Sequence, residues 1–211
     1  MSTQRRRKFQ LTDVVAAALM ETEEHGLERV TMRSVAERLG ASPMMLYRHV
    51  ANRDELADLV ADEALANLEL PPAAADDAIR EWLTGTLDVA RQRMLRYPGT
   101  ADHLLLIGPS GPHTLAFMAA VCAVIRRTGR DAVQTAWAYD WLMTTASVYV
   151  SKETRLGTGR GRGEVYAAFN ERAQTYIERH PDLADVVAAF APGEHDAFQR
   201  ATGSVIDALF E

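Results

Sequence analysis

Thr31 to Arg53 reads TMRSVAERLGASPMMLYRHVANR, two short helical patterns hinged at Gly40. Thr31, Ser42 and Asn52 each precede an apolar-periodic run, and each side chain can accept a hydrogen bond from the unpaired amides of a first helical turn. After Thr31, the residues Val35, Ala36 and Leu39 fall on one helical face, and Gly40 offers the permissive backbone on which a helix can end sharply. The spacing predicts a helix over Met32 to Leu39. After Ser42, Pro43 stands at the first helical position, where its missing amide costs nothing, and Leu46 and Val50 return to the same core. Met44, Met45, Tyr47, Arg48 and His49 are left facing outward. Such a face is a poor solvent surface but a suitable docking surface. Two short helices joined by a tight turn form a helix-turn-helix, and the major groove of double-stranded DNA is its natural partner.

The charge distribution agrees, although the 211-residue chain carries a formal net charge of -6. Residues 1–53 hold nine Lys/Arg against six Asp/Glu, a net of +3, and the remainder holds 14 basic against 23 acidic side chains, a net of -9. The run Arg5, Arg6, Arg7, Lys8 could track phosphates or enter a minor groove as a basic arm; the alternative is a solvated terminus. Hydrophobic residues make up 47% of the sequence, enough for one small domain and one larger core. No apolar run approaches the roughly 18–20 residues needed to cross a bilayer, so no membrane partner and a cytoplasmic location are expected. Cys122 is the only cysteine, which rules out an intramolecular disulfide and a cysteine-based structural zinc site. Its apolar setting fits a buried small hydrophobe better than a redox sensor.

Elsewhere one helical pattern follows another. Leu11 to His25 carries Val15, Ala18 and Leu19 inward and ends at Gly26. Asn52 with Glu55 resembles a capping box opening a helix that the leucine spacing carries to about Leu70, where Pro71 and Pro72 stop it. A helix of that length would span roughly 27 Å and could act as a lever. Further helices are expected over Ala75 to Tyr97, Thr100 to Ile107, His113 to Thr128, Asp131 to about Glu153, Glu164 to Arg179 and Glu194 to Phe210. The glycine-rich RLGTGRGRG from Arg155 to Gly163 reads as an exposed loop. The expected division is 1–53 for arm and helix-turn-helix, 54–70 for a connecting helix, and 71–211 for a larger helical domain.

The first sixty or so residues resemble the DNA-binding domain of the TetR family. The resemblance rests on Gly26 and Leu27, Val30 to Arg33, Val35 to Gly40 and above all LYRHVANRDEL from Leu46 to Leu56. It implies that Tyr47 and Arg53 hold phosphates and that Arg33, Met44, Met45 and Arg48 face bases or the adjoining backbone. Thr31, Ser42 and His49 complete the implied DNA-binding set, with His49 as readily a packing residue. More weakly, through helix order and the closing FQRATGSVIDALF, the rest resembles the ligand-binding and dimerisation region of the tetracycline-repressor branch. The implied architecture is all-α, with a three-helix reading domain joined by a connecting helix to a ligand-binding and dimerisation domain. A homodimer is also expected from two outward-facing apolar helices, near Asp131 to Val150 and His195 to Phe210.

The implied ligand is a small-molecule effector of unspecified identity. Its pocket candidates are Trp82, His103, Phe117, Met118, Trp137 and Trp141, within an inventory that also holds Tyr139 and Met143, though a core would use the same residues. His103 falls roughly where the tetracycline-repressor branch has a drug-binding histidine, but Glu69 stands near the place of another, so tetracycline specificity is not carried over. Asp102, His103 and His113 lack the spacing of a strong metal site, and neither a metal nor a cofactor is expected. Gly157 to Gly163 has no preceding strand pattern and no following Lys-Ser/Thr, and neither a G-x-S-x-G elbow nor an H-E-x-x-H occurs, so an enzyme is disfavoured. The closer alternative is a constitutive DNA-binding protein without an inducer.

Overall fold

Ten α-helices and no strand make up the residues described by the computed structural model, which are 9–72, 78–158, 162–185 and 197–210. The first three helices are α1 (Leu11–His25), α2 (Met32–Leu39) and α3 (Pro43–Leu46), followed by α4 (Arg53–Ala64). Then come α5 (Ile79–Arg96), α6 (Thr100–Ile107), α7 (Pro112–Arg126), α8 (Ala132–Thr158), α9 (Arg162–Ile177) and α10 (Ala197–Asp207). No single helix among the described residues is long and apolar enough to cross a membrane.

Two hydrophobic cores result. Val14, Ala18, Val35, Leu46, Val50, Leu56 and Val60 close the first beneath α1 to α4. The second gathers Leu83, Leu87, Met94, Ile125, Leu142 and Ile206 around α8, which packs against α5, α6, α7 and α10. The connecting helix α4 belongs to both cores. It lies against α1 on one side and α6 and α7 on the other, with Val60 in the first core and Leu65, just past its end, in the second.

The helix α4 is shorter than the leucine spacing predicts. After Ala64 the amides of Leu65 and Ala66 turn to the carbonyls of Asp62 and Glu63 at 3.0 Å each, and Asn67 takes φ 52. Those tighter turns and a left-handed residue end the helix before Leu70. The 12 residues reach about 18 Å. Leu65, Leu68 and Leu70 still pack on the second core, now from a turn and the irregular chain after it. Arg93 donates to the Ala66 carbonyl at 3.1 Å and holds this end against α5.

Two other expectations are corrected. The loop expected from Arg155 is helical through Thr158, with Arg155 donating to Asp102 at 2.8 Å; helix resumes at Arg162, and 159–161 lie outside the described residues. The helix expected near His195 to Phe210 does not turn an apolar face outward, because Phe198, Val205, Ile206 and Leu209 are buried in the second core. Arg130 fastens its end by donating to the carbonyls of Ala208 and Leu209. On α8 the outward apolar stripe is present: Val133, Trp137, Trp141 and Val148 all stand exposed.

The two cores also meet directly. Leu27 donates its amide to the Pro98 carbonyl at 2.8 Å, and Arg96 bonds Glu23 at 2.9 Å. Gly99 makes this approach possible, since its φ is +90 and an added Cβ would lie 3.1 Å from Leu27 Cβ. Gly99→Ala is expected to cost about 1–2 kcal/mol, from the left-handed backbone alone. Chemical denaturation checks this, and an unchanged midpoint would contradict it.

Candidate nucleic-acid interface and ligand cavity

The candidate reading face is set by caps and a left-handed turn. Ser34 donates its amide to Thr31 Oγ1 at 3.0 Å, while Thr31 donates its own amide to Ser34 Oγ at 3.0 Å, so Thr31 is spent on starting α2. Gly40 sits at φ 63 and ψ 34, and Ala41 donates to the Ala36 carbonyl at 2.8 Å, which turns the chain toward α3. Ser42 makes no side-chain cap, and Pro43 begins α3. Although α3 is one turn long, Val50 still donates to the Leu46 carbonyl at 3.0 Å, keeping the helical course through Val50. Leu46 and Val50 are buried, which forces the intervening side chains out. Met44 is 75% exposed and Tyr47 51%, Arg48 is exposed, and Met45 and His49 are half-buried.

Three arginines of this region have different tasks. Arg33 is exposed and pairs with Glu37 at 2.8 Å, an i,i+4 surface pair weak enough to yield to a phosphate. Arg38 bridges Glu21 and Glu24 of α1 at 2.5 Å each, and its guanidinium holds the Glu24 carboxyl below the ordinary carboxylate range. Those bonds also occupy Glu21 and Glu24, which with His25 form an acidic cluster at the end of α1. Arg53 donates to the carbonyl of Leu27 at 2.9 Å and to that of Val30 at 3.4 Å. It thus staples the start of α4 to the turn preceding α2, a structural task that its sequence position did not disclose.

A cavity of about 100 Å³ adjoins the second core, with Leu65, Ala90, Met94 and Phe117 in its wall and Tyr139, Met143 and Ser147 contributed by α8. Its exposed wall residues, Leu105, Asp140 and Thr144, mark the mouth. Of the six pocket candidates, only Phe117 lines it. Trp82 is buried and donates to the Pro71 carbonyl at 3.0 Å, Met118 is half-buried on α7, and Trp137 and Trp141 are 70% and 57% exposed on the outer face of α8. His103 bonds Asp58 of α4 at 2.8 Å, and Asp102 instead accepts from Ser151 and Arg155, so those residues and His113 do not converge. Burial pushes the Tyr139 phenol well above its ordinary range, with Cys122 and Asp140 adding to the effect, which keeps it a protonated donor. Cys122 itself is half-buried, and burial pushes its thiol up.

Between cavity and reading face stands α4. Asp62, 7% exposed, accepts from the amides of Thr114 at 2.8 Å and His113 at 3.3 Å and from Thr114 Oγ1 at 2.9 Å. Its carboxylate caps the first turn of α7, where the helix dipole also favours a negative charge. Thr114 is itself a wall residue of the cavity. With Asp58 on His103 and Glu63 3.8 Å from His113, α4 meets the cavity-bearing helices through three acids. Sequence reasoning missed Asp62; the available signal was an acid beside the buried positions of an amphipathic helix.

Residues 14–60 match the model of "Bacterial regulatory proteins, tetR family". The tetracycline repressor protein class A from transposon 1721 of Escherichia coli is 38% identical over 91 residues, which cover 43% of this chain and 42% of that protein. The HTH-type transcriptional repressor DrrR1 of Streptomyces coeruleorubidus is 33% identical over 123 residues, covering 56% and 44%. The matched stretch thus spans less than half the length of these repressors. In fold the likeness is nearly complete: apo ActR from Streptomyces coelicolor superposes with a TM-score of 0.83 at 23% identity, covering 98% of this chain and 97% of that one. ActR has also been solved in complex with actinorhodin.

Proposed function

The chain belongs, through residues 14–60, to the tetR family of bacterial regulatory proteins, and on that footing we propose that it is a DNA-binding transcriptional repressor released from its operator by a small-molecule effector. The observation that carries this reading is the face of Met44, Tyr47 and Arg48, lifted outward by the burial of Leu46 and Val50. Arg33 reaches the same groove from α2, and Thr31, Ser42, Met45 and His49 border it. Arg53 staples α4, and its remaining nitrogen, 4.0 Å from the exposed Asp54, can turn to a phosphate. Methionines make no bidentate base contacts, so readout beneath Met44 and Met45 leans on thymine methyls and groove shape.

The protein acts as a homodimer in the cytoplasm, and its role is regulation rather than catalysis. Trp137 and Trp141, exposed together with Val133 and Val148 along one stripe of α8, are best covered by a second copy. Two reading heads then meet a pseudo-palindrome with half-sites roughly 34–36 Å apart. Effector in the cavity presses on Leu65 and Thr114, and Asp62 carries the displacement to α4. To drive the operator-competent population from 99:1 to 1:99 the effector must prefer the released state by about 5.5 kcal/mol.

Selection of binding sites from random DNA, followed by a small-molecule release screen on the selected operator, tests the proposal. The expected result is a two-fold symmetric site and at least one compound that weakens its binding. A compound that saturates the dimer and fills the cavity while leaving operator affinity unchanged would instead favour a constitutive DNA-binding protein.

A further inference from the structure

We propose that the effector is a cation, an apolar ring-bearing molecule with a protonated amine or fixed positive charge that rests against Asp140. The inference rests on the reading of the cavity as the effector site. The wall is built from leucine, methionine, phenylalanine and alanine side chains with the hydroxyls of Thr114, Tyr139, Thr144 and Ser147, and Asp140 is the one ionic residue among the described residues that line it. Among the described residues no Lys, Arg or His lines it.

The chemistry of that lining is one-sided. A carboxylate or sulfonate ligand would shed water without gaining a counter-charge, and it would meet Asp140 at the mouth. A cation loses less, because its charge can remain at the mouth beside Asp140 while its apolar body fills the interior between Met94 and Phe117. Asp140 is available for this: it is exposed and makes no hydrogen bond or ion pair among the described residues. The hydroxyls complement the same ligand, since Ser147 and Thr144 can accept from an ammonium group and Tyr139 remains protonated.

A second observation points the same way. Residues 54–211 carry 14 basic and 23 acidic side chains, a net of -9, whereas residues 1–53 carry +3. The domain that holds the cavity therefore attracts cations and repels anions at long range, while the reading domain does the reverse. Effector and operator are sorted by sign to opposite ends of one chain.

Three ligands that share one ring system isolate the charge: 2-naphthylmethylamine, 2-naphthylmethanol and 2-naphthoate, titrated calorimetrically into the full-length protein at neutral pH and low salt. The amine is expected to bind about fivefold tighter than the alcohol, and the naphthoate more weakly than either. In Asp140→Asn the amine should fall to within about twofold of the alcohol measured with the same variant. Leu105→Trp, a change at the mouth on α6 and away from the α8 stripe, should block all three. Alcohol binding that Leu105→Trp abolishes, with no advantage for the amine or with an advantage that survives Asp140→Asn, overturns the cation assignment and leaves the cavity reading intact. Failure of all three ligands to bind, or binding indifferent to Leu105→Trp, overturns both.

Discussion

Gly111→Ala is expected to lower the unfolding free energy by about 2–4 kcal/mol, an unusual penalty for a half-buried loop glycine. The reason is its neighbour. A Cβ at position 111 would lie 2.2 Å from Asp62 Cγ and 2.4 and 2.6 Å from the carboxylate oxygens, closer than any real contact permits. Asp62 cannot step aside freely, because its two oxygens hold the amides of His113 and Thr114 and the Thr114 hydroxyl. Displacing it leaves a buried charge without donors and the first turn of α7 without its cap, each worth about 1–3 kcal/mol. Asp62→Ala removes the obstruction as well as the cap, so Gly111→Ala should add less than about 0.5 kcal/mol in that background. Denaturant titration of the four proteins in this cycle gives the coupling, and simple additivity would mean that the two residues do not share one site.

The same clamp illustrates what could and could not be read from the sequence. Caps were legible because they are local: Thr31 accepts from Ser34, and Asn52 accepts from Glu55 at 2.8 Å, three residues on in each case. The inward set of the reading domain was legible for the same reason, since Leu46 and Val50 are one turn apart. Asp62 pairs with a helix start some fifty residues away, and no periodicity reports that. Leucine spacing also overran the end of α4, because Leu65 is buried from a turn and Leu68 and Leu70 half-buried from the irregular chain after it. Periodicity records burial, and backbone geometry only by inference. On α8 the difficulty was one of phase. Trp137 and Tyr139 are two residues apart, about 200° around a helix, so one faces solvent while the other lines the cavity. An aromatic inventory cannot choose between opposite faces until their neighbours are known.

That distinction between local and distant partners also separates the arginines of the reading domain and yields the second large effect. Tyr47→Phe combined with Arg48→Ala should weaken operator binding about 10²- to 10⁴-fold at fixed salt, since each loss of about 1 kcal/mol occurs twice in a dimer. Both side chains are exposed, so the unfolding midpoint should not move. Salt dependence then tells what Arg48 touches. If it holds a phosphate in each half-site, Arg48→Ala alone should make the slope of log K against log salt shallower by about 2; if it reads a base, specificity at that position should relax instead. Arg53→Ala should behave differently, because its bonds to the carbonyls of Leu27 and Val30 serve the fold. It is expected to lose about 1–2 kcal/mol of stability as well as affinity, because the Val30 carbonyl loses its Arg53 donor while the Leu27 carbonyl keeps only the Val30 amide. Anisotropy titrations of the selected operator, paired with denaturation of each variant, distinguish these outcomes. Affinity within about threefold of the parent for Tyr47→Phe/Arg48→Ala would place the DNA on another face of the molecule, since two exposed contacts per half-site cannot be removed from a true reading surface at so small a cost.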